Sequence, residues 1–183
     1  MRQCVAGTFL SIVIAASAAA CGATGASPSP AGATTFDEYA TASCSAWGTL
    51  FRVVGNPDTA GWTDGVRQLQ AAADARDEAT ATRLQGEINT ELEAARQQIA
   101  SAGGWAPATR PMAEMDRFFV ATETWITAYV AVAKGVPGAP DPQAAFEAAG
   151  GVDSWRAMFE AYADVAPYRP ATVAQCPDAP ISP

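Results

Sequence analysis

Histidine is absent from all 183 positions, so the residues able to do chemistry in this chain are carboxylates, tryptophans and cysteines. Without imidazole there is no Ser-His-Asp or Cys-His catalytic group and no Glu-x-x-His di-iron motif. The usual nitrogen ligand for zinc is missing as well, and two distant cysteines do not replace it. No Gly-x-x-x-x-Gly-Lys-Ser/Thr loop is present, and Gly103-Gly104 alone is not a phosphate cradle. The sequence therefore assigns no catalytic residue, no metal ligand and no cofactor.

Two groups of carboxylates stand close in sequence. Asp74, Asp77 and Glu78 cluster, and Glu87 and Glu91 lie one helical turn apart. A pair of carboxylates is what glycoside hydrolysis needs. The same atoms can bind calcium, although no Asp-rich loop here has the EF-hand form. The plainer reading is a solvated helix surface. Glu114, Asp116 and Glu123 differ in flanking the most apolar stretch of the chain. Glu123 neighbours Thr122 and Trp125, where partial burial would raise a carboxyl pKa. A structural carboxylate hydrogen-bonded to a neighbour is the plainer role there.

Five tryptophans are many for a chain of this size. Trp47, Trp125 and Trp155 fall on helical stripes and are expected in the core. Trp62 and Trp105 stand in loops before helices, either exposed as binding anchors or capping the ends of a bundle. With Glu123 they are the candidate binding residues. Aromatic walls with few polar groups also suit a pocket for a small ligand or a sugar. The interior decides between these uses. A connected cavity lined by Trp and a buried carboxylate favours ligand binding, and solid packing favours scaffolding.

Helical periodicity supplies the elements that must position these side chains. Thr35-Phe36-Asp37-Glu38 has the form of a capping box. Phe36, Ala40, Cys44, Trp47, Phe51 and Val54 then recur at spacings of three and four, and Gly55-Asn56-Pro57 stops the helix. A second helix starts near Thr63 or Asp64 with Val66, Leu69 and Ala73, followed over 72–77 by a tight reversal or, as the alternative, an unbroken helix into the next. A third runs from about Asp77 to Ala102 with one apolar stripe of Leu84, Ile88, Leu92, Ala95 and Ile99. The fourth, from Met112 to Lys134, is the most apolar and is expected to sit centrally. A loop of Pro and Gly over 136–142 leads to a last helical region that Gly150-Gly151 breaks or kinks. From Pro167 onward the spacing of prolines predicts an extended tail. The fold expected is all-α, a four- to five-helix bundle with a Pro-rich C-terminal tail over 36–183, about 140 residues of it in one ordinary domain.

Acidic residues outnumber basic ones 19 to 11, for a net charge of −8. Nucleic acid needs clusters of Lys and Arg, so it is excluded as a partner. An anionic lipid surface, read through protein charge, is excluded on the same ground.

The front of the chain has a different composition. Arg2 is followed by sixteen uncharged residues, Val5 to Ala20, with Phe9, Leu10, Ile12, Val13 and Ile14 among them. A basic start, a short apolar run and small residues at its end are the parts of a secretory signal peptide over 1–20. The run is shorter than the roughly 20 apolar residues of a membrane span. Gly22 to Thr35 reads GATGASPSPAGATT, without charge or aromatic residue, and is a flexible tether that cannot bury enough surface to fold.

Ala19, Ala20 and Cys21 resemble a bacterial lipobox, with Ala18 standing where Leu is usual. In composition the first 35 residues resemble a lipoprotein of a high-GC Gram-positive bacterium. The resemblance implies a lipid on Cys21, a mature chain that begins there, and attachment to the extracytoplasmic face of the cell membrane. Ala18-Ala19-Ala20 also suits an ordinary signal peptidase, which would leave a secreted protein instead. With Cys4 lost in the signal and Cys21 lipidated, Cys44 and Cys176 remain as a pair, which export permits to form a disulfide. The function expected is a non-catalytic envelope lipoprotein that binds or scaffolds an envelope protein. The alternatives are a small-ligand or lipid-binding module, and a carboxylate-dependent cell-wall enzyme.

Overall fold

The structure, a computed structural model, describes residues 35–56, 61–102 and 104–169. The signal region, Cys21, most of the tether, Cys176 and the end of the Pro-rich tail lie outside the described residues.

The chain folds as an all-α bundle. Six α-helices occur among the described residues: α1 (Phe36–Val53), α2 (Asp64–Asp74), α3 (Glu78–Ala102), α4 (Thr109–Ala133), α5 (Pro142–Ala148) and α6 (Gly151–Ala161). The last two are the single helical region expected after the Pro/Gly loop, divided at Gly150-Gly151. Helix α4 packs against α2, α3, α5 and α6, and α1 lies along α3. The central place of α4 follows from its sequence, since buried side chains occur around much of its circumference, from Met112 and Met115 through Phe118, Phe119 and Trp125 to Ala133.

Local signals explain the boundaries. Thr35 and Glu38 close a full capping box on α1, with Glu38 N donating to Thr35 Oγ1 at 3.3 Å and Thr35 N to Glu38 Oε2 at 3.1 Å. Thr63 joins α1 to α2. Its hydroxyl donates to Val53 O at 2.8 Å, at the end of α1, and accepts from Val66 N at 3.3 Å, at the start of α2. The reversal over 72–77 is a Schellman turn in which Asp77 N donates to Ala72 O and Arg76 N to Ala73 O. Arg76 takes the left-handed conformation there, at φ 58°. Its guanidinium donates to Val132 O at 2.8 Å, tying the turn to the C-terminal end of α4. Asp77 then caps α3 by accepting from Thr80 N at 3.1 Å, and its bonds to Thr80 hold its carboxyl below the usual range.

Three expectations are corrected. Helix α4 starts at Thr109, not Met112, and carries Pro111 inside its first turn. A proline is tolerated there because the first N–H groups have no partner within the helix. The tail is not extended from Pro167. Ala166–Tyr168 forms a 3-10 turn with Pro167 in its first positions, and Tyr168 packs on Trp105 at 5.2 Å. The link after α1 is more than a turn, since Gly55–Asn56 and Gly61–Trp62 form a short antiparallel pair, β1 and β2. Gly55 sits at φ 112°, and a Cβ there would lie 2.3 Å from Gly61 O, so only glycine allows this pairing.

Candidate functional site

The β1–β2 pair brings Trp62 back over the bundle. Its ring lies 5.0 Å from that of Trp125, tilted by 37°. Trp125 in turn meets Tyr129 edge-on at 5.2 Å, and Gln70 Nε2 donates to the Tyr129 hydroxyl at 3.1 Å. Beside the two indoles, Phe118 of α4 and Phe146 of α5 stand perpendicular at 5.8 Å. Leu50 of α1 and Val54, which caps that helix, close the floor. Trp62, Trp125, Phe118, Phe146, Leu50 and Val54 form the apolar walls of a pocket of about 170 Å³, partly open to solvent, between α1, α4, α5 and the β pair. Among the described residues its polar side chains are Thr122 and Gln143, and none that lines it is charged.

The wall at Phe146 depends on a glycine. A Cβ on Gly151, at the start of α6, would come within 2.3–2.5 Å of three atoms of the Phe146 ring. The ring therefore occupies the place of the missing side chain. Gly151→Ala is expected to push Phe146 off its seat and to cost about 1–3 kcal/mol through overpacking. The check is a double-mutant cycle read by denaturant unfolding. In a Phe146→Ala background the same Gly151→Ala change should cost markedly less, because the clash has lost its partner.

The residues singled out from sequence are not brought together. Trp62 lies at the C-terminal end of α1 and forms part of the pocket. Trp105 lies at the other end of that helix, against Phe36 at 6.3 Å, Tyr39 at 6.1 Å and Tyr168. The 18 residues of α1 separate these two places by about 27 Å. Both indoles are half-buried, and the exposed aromatic at the Trp105 end is Tyr168, 55% accessible.

Glu123 follows Thr122 in sequence but faces α3, not the pocket. Arg96 Nη1 lies 3.4 Å from Glu123 Oε2, and Arg96 Nε donates to Asp116 Oδ1 at 2.8 Å. Burial pushes the Glu123 carboxyl up from its ordinary range, Arg96 opposes this, and Glu93 and Asp116 add to the rise. The direction is the one expected from sequence, and the setting is an ion-pair network on the surface of α3 and α4. Three other carboxylates are in ion pairs as well. Glu87 pairs with Arg83 at 2.7 Å, Glu91 with Arg52 at 2.9 Å and Glu114 with Arg117 at 2.9 Å. Among the described residues no group of three or more Asp, Glu or Cys side chains is placed to hold a metal ion.

The strongest displacement of a titrating group lies at the Trp105 end. Tyr39 is 4% exposed, and burial pushes its hydroxyl up to about 12, with Ser43 opposing the rise. A pKa raised by folding means the stabilising share is complete below pH 10 and is lost as pH climbs through about 12. Unfolding free energy is therefore expected to drop by about 2–3 kcal/mol over that window. Tyr39→Phe should remove this alkaline arm, which chemical denaturation at stepped pH measures.

No family model, no curated protein and no solved structure matches this chain. Among the described residues no helix is long and apolar enough to cross a membrane.

Proposed function

We propose that the chain is a non-catalytic ligand-binding module, tethered through a lipid on Cys21 to the extracytoplasmic face of the cell membrane. The observation that carries the binding part is the pocket: two indoles and two phenyl rings around about 170 Å³, with two polar and no charged side chains among the described residues that line it. That composition is the usual one for small-molecule sites, where apolar walls give affinity and a few polar groups give orientation. A bundle serving only as a scaffold has no use for an apolar pocket between its helices, which costs contacts. The pocket also favours binding over chemistry, because none of the described residues that line it can take or give a proton at neutral pH.

The binding part is tested by ligand-linked stability. Toluene, a neutral probe of the right size, should raise Tm by a few degrees at concentrations about tenfold above its dissociation constant. A filled variant, Val54→Phe, should not respond. Absence of any rise in the unsubstituted chain would contradict the reading.

The tether part rests on the lipobox resemblance at Ala19-Ala20-Cys21 and the uncharged spacer that follows. Intact-mass analysis of the membrane fraction should show a chain that begins at Cys21 and carries a diacylglyceryl thioether. A chain with unmodified Cys21, wholly in the medium, would establish a secreted protein instead.

A further inference from the structure

We infer that the ligand of this pocket is a single neutral ring bearing a hydroxyl, a phenol-class molecule, whose hydroxyl donates to Thr122. The inference rests on the reading of the pocket as a binding site and adds the chemistry of the occupant.

Size sets the first limit. The pocket holds about 170 Å³, and an apolar protein cavity of about 150 Å³ accommodates benzene. One six-membered ring with one or two small substituents fills that volume, and any larger group would extend out of its open side. The walls set the second. Trp62 and Trp125 present tilted faces, and Phe118 and Phe146 meet at 90°. A wall of aromatic faces and edges gains more from another ring than from an alicycle of the same area. Charge sets the third. No Asp, Glu, Lys or Arg among the described residues lines the pocket, so an ionised ligand would lose hydration there without gaining a partner from these walls.

The polar groups then specify one handle. Thr122 Oγ1 donates its proton to Phe118 O at 2.9 Å. Its hydrogen is committed, and the lone pairs remain for a donor. The Gln143 amide nitrogen donates one hydrogen to Glu147 Oε1 at 3.0 Å, which leaves its second N–H as a donor and its carbonyl as an acceptor. Thr122 thus asks the ligand to donate, and Gln143 can meet a donor or an acceptor, so a hydroxyl suits both. A phenolic O–H does so while keeping the ring neutral, since it ionises only near pH 10.

The experiment is a titration of the full chain with four probes, p-cresol, toluene, benzoate and cyclohexanol, followed by tryptophan fluorescence and calorimetry. The expected order places p-cresol about two- to tenfold tighter than toluene, the value of one net hydrogen bond. Benzoate and cyclohexanol should both bind more weakly than p-cresol. In Thr122→Val the p-cresol constant should fall to that of toluene while toluene is unchanged. Equal binding of p-cresol and toluene overturns the hydroxyl assignment but leaves the pocket a binding site. Benzoate or cyclohexanol binding as tightly as p-cresol overturns the neutral-ring class in the same way. Failure of all four probes overturns the binding site itself. Should Thr122→Val fail to fold, the comparison of the four probes on the unsubstituted chain still decides the inference.

Discussion

Trp47→Ala is expected to destabilise the fold by about 3–5 kcal/mol, the range for removing a large aromatic from a core. The side chain is 0% exposed. It stacks on Phe51 at 5.6 Å, meets Trp155 edge-on at 5.4 Å and contacts Phe118 at 6.1 Å. Helices α1, α4 and α6 therefore meet on this one indole. A loss of that size is a large part of the roughly 5–15 kcal/mol that holds a domain together. Trp47→Phe should cost far less than Ala, for two reasons. It keeps most of the packing, and it removes an indole N–H that is buried without an acceptor. An unpaired buried donor costs about 1–3 kcal/mol, which the phenylalanine does not incur. Urea unfolding separates the outcomes, with the midpoint moving and the slope unchanged in both variants. Because Trp47 supports Phe118, which walls the pocket, toluene binding should weaken in the Ala variant as well.

Loss of the disulfide at Cys44 is the second large effect. Cys44, on the flank of α1, is disulfide-bonded, and its partner lies outside the described residues. We propose Cys176 as that partner, since Cys4 belongs to the signal region and Cys21 to the lipobox. The bridge would pin the Pro-rich tail to the first helix. In the chain-entropy account a loop of more than a hundred residues contributes about 4–5 kcal/mol, an upper value. Cys44→Ser and Cys176→Ser should each lower stability by a similar amount, and the double variant by little more than either. A double variant that loses the sum of both would mean separate partners. Digestion without reduction, followed by mass analysis, should yield one linked peptide containing Cys44 and Cys176.

Much of the fold can be read along the chain because its signals are local. The capping box at Thr35, the stripe Leu84, Ile88, Leu92, Ala95 and Ile99, and the ends of α3 depend on residues within a few turns of one another, and each stands as expected. The apolar face of α1 is less well read. Its buried positions include Tyr39, Ser43, Ala46 and Leu50, whereas Ala40 and Phe51 are only partly covered. Periodicity favours large apolar residues, but small ones such as Ser43 and Ala46 let a neighbouring helix approach closely. Phe159 was expected with Trp155 and Met158 in the last helical stretch, and it stands 40% exposed with its ring against Trp155 at 5.1 Å.

The pocket was legible only in part. Trp125 and Phe118 share the apolar stripe of α4, and the helical period places them together. Trp62 reaches them through a two-residue strand pair that depends on Gly55, a contact across more than sixty positions with no periodic signal. Phe146 reaches them because Gly151 has no side chain, a fact about the space between two short helices. Sequence patterns report which faces are buried and not where burial is incomplete. Glu123 shows the same limit. Its partial burial was visible from its neighbours, but the rotation that turns it toward Arg96 and away from the indoles is set by the packing of α3 on α4.

The five indole N–H signals in a proton–nitrogen spectrum report directly on whether the pocket is a binding site. Titration with p-cresol or toluene is predicted to move the signals of Trp62 and Trp125, assigned by substitution, and to leave Trp105 in place about 27 Å away at the other end of α1. Shifts spread evenly over all five, or a spectrum that does not move at saturating probe, would contradict the assignment of function to this pocket.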